Sequence, residues 1–408
     1  MVAVRSIEEW VEALIQGTLN MHQLPASVSP KQAATIRRLA LERITHTSLS
    51  SIGDFSFDPR PAKCENLIGA IQVPVGIAGP LLIQGQHVKP QERVFLPLAT
   101  TEGALIASIN RGCSALHAAG GAIVRVRDMG ISRAPVFRTT GIEQTEYFLA
   151  WVSEHFEDIA QYCEQGSRYL KLLDITSAVV GTSVYLRFCF HCADAMGMNM
   201  ATLACAHAIE HLIVPSTGVC CVSVSGNYCT DKKPSAVNFV LGRGKDIHAE
   251  AHLSADIVQH ILKTEPDAMV EVQYRKNLLG SIMAGAHGFN AHHANVLAAL
   301  FIATGQDLGH IAESAGGVTC LEARDKGALY ASVLLRDVPL GTVGGGTGLS
   351  TQREALALLG IVAGRREPGE DCLRLAEIIG AAVLAAELSI IAALAGHHLA
   401  DAHQQLGR

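Results

Sequence analysis

Three charges stand side by side in "GNYCTDKKPS" (226–235), in a chain where only 17% of residues are charged. Asp231, Lys232 and Lys233 precede Pro234, whose fixed φ pushes Lys233 towards an extended conformation, so the three side chains fan out from a rigid turn. A lysine held beside a second cation and an acid can polarise a carbonyl oxygen or clamp a carboxylate. The ordinary alternative is a solvated surface turn, but the Ser-Gly-Asn-Tyr-Cys lead-in is poor surface composition. Glu102, in "ATTEGALIASINRGC", stands at the start of an apolar helix. There the dipole favours the carboxylate, and a proton donor needs desolvation or a neighbouring acid; first-turn capping is the plainer reading. Asp307, in "IATGQDLGH", is the only acid between Glu271 and Glu313. It is either the solvent end of an apolar helix or an inward-facing catalytic group.

Two further stretches suit a cofactor. "GTVGGGTG" (341–348), with Gly344, Gly345 and Gly346, lets backbone N–H groups approach a phosphate or a flat ring. "DAMGMNM" (194–200) places Asp194 at a helix start, followed by Met196, Gly197, Met198 and Asn199, although methionine at helical spacing is usually core. Neither GxGxxG after a strand nor GxxxxGK[ST] occurs. Histidines cluster in "GAHGFNAHHAN" (His287, His292, His293) and "AGHHLADAH" (His397, His398, His403). Neither is HExxH, and adjacent histidines point to different helix faces, so no metal site is expected.

The elements that must position these groups fall into a pattern. Residues 134 to about 225 read as strand, helix, two β-rich runs, helix and strand, the βαββαβ order of a ferredoxin-like unit. Residues 1–50 form a small helical segment in which Ser29 and Pro30 cap a helix. Residues 60–100 suggest short strands joined by tight turns. After 236 long helices follow, including "IHAEAHLSADIVQHILKT", "NAHHANVLAALFIATG", "REALALLGIVAG" and the run 378–396. That last run has Glu387 at its middle, with about nine apolar residues on either side, and reads as a buried helix rather than a span. With 408 residues, two or three domains are expected. The net charge of −6 and the lack of a basic stripe argue against nucleic acid. Eleven cysteines, an odd number whose spacing suits neither a disulfide framework nor a zinc ribbon, suit reduced thiols, and the first residues do not form a cleavable signal.

Taken together, "ENLIGAIQVPVGIAGPL", "LATTEGALIASINRGC", "DAMGMNM", "VSGNYCTDKKP", "NLLGSIMAGAHGFNAHHAN", "GTVGGGTGL" and "ELSIIAALAG" resemble the 3-hydroxy-3-methylglutaryl-coenzyme A (HMG-CoA) reductase family, in its biosynthetic, class I-like form without a membrane anchor. The motifs run from about residue 50 to 403 in the family's order. The resemblance implies an α+β fold: a large helix-rich substrate-binding domain (51–133 and 226–408) carrying an inserted ferredoxin-like cofactor-binding domain (134–225). It implies NADPH-dependent, four-electron reduction of HMG-CoA to mevalonate through a mevaldyl-CoA hemithioacetal and mevaldehyde, on the mevalonate route to isoprenoids. Lys232 would stabilise the oxyanion, Glu102 would donate the proton, Asp307 would couple the two as the family's buried aspartate, and Asn295 would orient them. Asp231, Lys233, Ser225, Arg133, Arg111, Lys276 and His292 would meet the substrate. His403 would protonate the leaving thiolate, with His398 as its neighbour. Asp194, Met196, Gly197, Met198, Asn199 and the glycine loop would meet the cofactor, while Ser167 and Arg168 would meet a 2′-phosphate, favouring NADPH. A cytoplasmic homodimer at least, with a tetramer as the larger option and active sites between subunits, is implied. The alternatives are NAD-dependent mevalonate oxidation on the same fold and a non-catalytic CoA-binding relative.

Overall fold

The computed structural model describes residues 6–25, 27–53 and 66–396. Ten strands form one continuous sheet: β1 Val75–Gln84, β2 Arg93–Ala99, β3 Ala122–Arg133, β4 Val136–Arg138, β5 Lys171–Val180, β6 Ser183–His191, β7 Cys220–Ser223, β8 Arg243–Leu253, β9 Val318–Arg324 and β10 Ala328–Val338.

One part of the sheet runs β2-β1-β3-β8-β10-β9, antiparallel except for the short β1–β3 pairing. The other runs β7-β4-β6-β5, wholly antiparallel, with helices Ile142–Glu154, Phe156–Glu164 and Met198–Ala208 between its strands. That is the ferredoxin-like order expected for this stretch. β3 joins the parts: residues 123–130 pair with β8, and 131–133 pair with β6. Gly130 sits at the irregularity with φ +71, and an added Cβ would lie 2.8 Å from both the Cys189 sulfur and the Phe190 carbonyl oxygen, so no side chain fits.

Two main cores follow. The smaller gathers Phe137, Phe148, Trp151, Phe188 and Phe190. The larger surrounds the Glu370–Ala395 helix, whose residues from Leu375 to Leu388 are all buried. This helix is long and apolar enough to cross a membrane by length and composition, yet it is enclosed by protein, as the sequence suggested. The Leu105–Ala118 helix packs against it so closely that a Cβ on Gly112 would lie 1.8 Å from the Ala385 carbonyl oxygen. The N-terminal helices Ile7–Ile15 and Pro30–Thr45 form a satellite core of their own, and Ser29 caps the second through a reciprocal bond pattern with Gln32.

Three expectations need correction. "IHAEAHLSADIVQHILKT" is not one helix, because residues 247–253 belong to strand β8. Ile247, Ala249, Ala251 and Leu253 are buried at every second position, the period of a strand, and only the part after Ser254 is helical. β9 and β10 are further strands in the stretch after 236, where the sequence suggests long helices, although the large part is helix-rich as expected. Finally, the helix after "DAMG" starts at Met198, so Asp194 precedes it by a turn and serves a different helix.

Candidate functional site

The DKK turn lies between β7 and β8 with Lys232 in the left-handed region at φ +60. Its ammonium stands 2.7 Å from Asp307 Oδ2. Asp307 begins a short 3-10 turn after the His293–Thr304 helix and also accepts from the Gly309 N–H at 2.9 Å. Partial burial works against its charge, but Lys232, that N–H and His310 outweigh it and hold its pKa below the usual carboxylate value. The two side chains remain 44% and 40% exposed in the single chain, so the expected buried aspartate is open here.

Glu102 is exposed in the loop before the Leu105–Ala118 helix and accepts from Asn295 Nδ2 at 3.2 Å. That contact joins residues 193 apart in sequence. Asn295 is placed by the first turn of its helix, which Glu387 anchors: this buried carboxylate accepts from the Ala291 and His292 N–H groups, both at 2.8 Å, and from the Thr319 hydroxyl at 2.6 Å. Burial opposes its charge, yet His293, His292 and these donors hold its pKa below normal. His292 Nε2 is buried without a hydrogen-bond partner among the described residues. Lys276, whose ammonium donates to Asn277 Oδ1 at 2.9 Å, has its pKa lowered by desolvation, with Glu387 pulling the other way.

Asp231 does not point at open space. Its carboxylate meets Arg243 at 2.8 Å, and that fully buried guanidinium also reaches Glu313 at 2.7 Å and the Met198 sulfur at 2.9 Å. Asp231, His310 and Glu313 have the spacing of a metal site, but Arg243 already supplies their cation. Lys233 bends back to the Asp231 carbonyl oxygen at 3.1 Å. Arg133 donates to Ser225 at 3.0 Å and to Thr202 at 2.7 Å, which holds one guanidinium edge by a β7–β8 loop residue. Arg111 is tied to Ser389 of the long buried helix by its hydroxyl at 3.0 Å and its carbonyl oxygen at 2.6 Å.

The two cofactor stretches are neighbours. Ala195 and Val343 form a parallel bridge, and the Thr342 N–H donates to the Asp194 carbonyl oxygen at 2.8 Å. The Asp194 carboxylate accepts from the Gly369 and Cys372 N–H groups at 2.8 and 3.1 Å, holding the start of the Glu370–Ala395 helix. Gly344 and Gly345 have φ +79 and +55 with open space around them, so their N–H groups are approachable. Met196 packs partly against the smaller core, Gly197 turns the chain at φ +96, and Asn199 is exposed in the first helical turn. Arg168 follows half-buried Ser167 and lies 4.6 Å over the Tyr169 ring. His398 and His403 lie outside the described residues.

A cavity of about 1010 Å³ reaches Ala104 and Ile106 at the start of the Leu105–Ala118 helix. Lys31, Arg37, Arg38, Arg111 and Lys263 line it, and no carboxylate does among the described residues. It suits a large, polyanionic, partly apolar ligand.

A family model described as hydroxymethylglutaryl-coenzyme A reductase matches residues 33–408. The chain belongs to that family. It is 45% identical over 409 residues to the Pyrococcus abyssi 3-hydroxy-3-methylglutaryl-coenzyme A reductase, covering 99% of this chain and 100% of that one. It is 46% identical over 402 residues to the Methanothermobacter thermautotrophicus enzyme, covering 98% and 99%. Among solved structures, the class II reductase of Streptococcus pneumoniae bound to NADPH in open conformations superposes with a TM-score of 0.65 over 96% of this chain and 97% of that one. At 17% identity that likeness shows the α+β fold. The chain is therefore an enzyme of the class that reduces HMG-CoA to mevalonate.

Sequence reading missed Arg243, His310, Glu313 and Asp337. The available signal was an arginine flanked by glycines in "LGRGK". Gly244, at φ +69, approaches the Val338 carbonyl oxygen so closely that an added Cβ would be 2.5 Å away.

Proposed function

We propose that this chain performs the four-electron, NADPH-dependent reduction of (S)-HMG-CoA to mevalonate and CoA, through the hemithioacetal and mevaldehyde. The observation that carries the reading is the Lys232–Asp307 pair at 2.7 Å, an ammonium paired with a carboxylate and aimed from a strained turn. NADPH, when bound, supplies the hydrides. Lys232 holds the oxygen that becomes negative as the thioester is reduced, and Asp307 keeps that lysine in place. Glu102, oriented by Asn295, donates the proton to the carbonyl oxygen. Arg133, Ser225 and Lys233 bind the free carboxylate of the substrate, with Lys276 and His292 beside it, while Asp231 fixes the turn through Arg243. CoA fits the cationic cavity, Arg111 included, because its phosphates need cations and its pantetheine arm needs apolar walls.

The residues fit the cofactor. Gly344 and Gly345 leave their backbone approachable, with Gly346 packed behind them against Gly305, Asn199 and Met196 edge the same surface, and Arg168 with Ser167 offers a planar cation for a 2′-phosphate. Asp194 positions this surface rather than touching the cofactor. Glu102 and Asp307 are both exposed in the single chain, whereas oxyanion stabilisation needs a dry site. A second subunit covering them meets that need, which makes at least a cytoplasmic homodimer, and the C-terminal His403 is the group to protonate the thiolate.

The test is absorbance of reduced nicotinamide in purified protein with HMG-CoA and NADPH, then NADH, beside Lys232→Ala. Two NADPH consumed per thioester, with the variant silent, supports the reading. No consumption overturns it, and preference for NADH overturns the Arg168 assignment.

A further inference from the structure

Behind the DKK turn lies a row of buried titratable groups that the proposed reduction leaves unused, and the role assigned to them rests on that reaction. Glu313 Oε1 shares a hydrogen bond of 2.5 Å with His310 Nδ1, whose donor is set by the imidazole tautomer, and accepts from Arg243 at 2.7 Å. The other imidazole nitrogen, Nε2, makes no hydrogen bond among the described residues and lies 3.8 Å from Asp307 Oδ2. The ring thus stands between a fully buried carboxylate and the carboxylate that holds Lys232. A small side-chain rotation would bring Nε2–H onto Asp307.

On the far side, Glu313 Oε2 and Asp337 Oδ1 are buried with no hydrogen-bond partner among the described residues. Both residues line a cavity of about 20 Å³, bounded also by Pro234, Ser235, His287 and Arg336. That volume holds about one water, and two orphaned carboxylate oxygens are the partners such a water needs. The charged groups facing the row are Arg243 from β8, 3.8 Å from Asp337; Asp231 from the turn, 3.9 Å from His310; Lys232 beyond Asp307; and Arg187 from β6 near Asp337. Asn238 donates to Asp337 Oδ2 at 2.8 Å. Burial and the neighbouring Glu313 push the Asp337 carboxyl up to about 7, against Arg243, Asn238 and Arg187, so it gains and loses a proton near neutrality.

Reducing a thioester to an alcohol and a thiol takes up two hydrides and two protons. One proton ends on the new hydroxyl and one on the thiol, and a site covered by a partner must draw them from solvent. We propose that Asp337, Glu313 and His310 form a proton-entry path from the small cavity to the Asp307–Lys232 pair. With the imidazole as its Nε2–H tautomer, a proton passes from Asp337 through the cavity water to Glu313 and on to His310 Nδ1, while Nε2 gives its own proton to Asp307. The pair passes it to the oxygen that Lys232 holds as that hydroxyl returns a proton to Glu102, so the oxygen keeps one proton in all and Glu102 regains the one it gave up. Asp337 recovers its own from solvent, and the imidazole, left as its Nδ1–H tautomer, returns to the Nε2–H form before the next turnover. His310, Glu313 and Asp337 are positioning residues in this scheme, acting through Asp307.

The experiment compares wild type, His310→Gln, His310→Ala with and without added imidazole, and Asp337→Asn, by NADPH oxidation with HMG-CoA from pH 6 to 9. The path predicts that His310→Gln lowers kcat at least about tenfold, within the roughly hundredfold or more that a positioned proton donor contributes, with KM for HMG-CoA within about twofold. Imidazole should restore part of the kcat lost in His310→Ala, and Asp337→Asn should remove the kcat transition near pH 7. A protonated-carboxyl infrared band at pH 6 that disappears in Asp337→Asn supports the path without reference to activity. Wild-type kcat and pH profile in His310→Gln would overturn the path, as would a loss in His310→Ala that imidazole leaves unchanged, or absence of that band. A wild type silent with HMG-CoA would instead overturn the reaction assigned to the site.

Discussion

His293 offers a stability test that does not depend on the reaction. Its imidazole is 0% exposed at the first turn of the His293–Thr304 helix, with Nε2 3.0 Å from the Thr319 hydroxyl and Nδ1 unpartnered among the described residues. Burial pushes its pKa from 6.5 down to about 4, although Glu387 pulls the other way. An unfolded chain protonates this histidine below about pH 6.5, whereas the folded chain keeps it neutral until about pH 4. The unfolded state therefore binds more protons in this window. Stability is full above pH 6.5 and falls as pH drops towards 4. At about 1.36 kcal/mol per unit, the loss from this residue is about 2 kcal/mol at pH 5 and about 3 kcal/mol at pH 4. That is a large share of a typical total of about 5–15 kcal/mol. Glu387, whose pKa is lowered from 4.5, adds its own loss at still lower pH, and Asp337, raised to about 7, works the other way between 6.5 and 4.5, so the histidine is isolated by comparing wild type with a variant that lacks it. Urea midpoints of wild type and His293→Gln at pH 7.5 and 5.0 measure the difference. The variant, which can still reach Thr319, should lose about 2 kcal/mol less between the two pH values. Parallel pH dependence in the two proteins would refute the argument.

Two other substitutions test how the site is held. Gly112→Ala places a methyl group 1.8 Å from the Ala385 carbonyl oxygen, so the two helices must separate; thermal melting should show a loss of about 1–3 kcal/mol. Asp194→Ala strips the acceptor from the Gly369 and Cys372 N–H groups and should cost about 1–3 kcal/mol in the same assay, with Asp194→Asn losing less because it keeps one acceptor oxygen.

Much of the small unit was legible because its strands and helices announce themselves locally. Phe137, Phe188 and Phe190 fall in β-rich runs bounded by turn residues, and "EQTEYFLAWVSEHFEDIAQYCEQG" has helical spacing, though the structure breaks it at His155. The large part was harder. "IHAEAHL" contains alanines and histidines that suit a helix as well as a strand, and only pairing of β8 with both β3 and β10 decides between them. Asp194 shows the same limit at the level of one side chain. Its place before a helix suggests a cap for that helix, yet its carboxylate serves a helix that begins 176 residues later, at Glu370.

The sequence by itself determined which chemical groups are present and in what local setting: an ammonium on a proline-closed turn, an acid before an apolar helix, a glycine loop, and a charged residue in the middle of the most apolar helix. These follow from backbone preferences and residue types over a few positions. Only the tertiary structure decided who meets whom. Lys232 finds Asp307, Glu102 finds Asn295, and Arg243 gathers Asp231, Glu313 and Asp337 from separate elements. The reason is physical: a buried charge is tolerated only where partners converge on it, and that convergence depends on sheet order and helix packing, which no short stretch of chain contains.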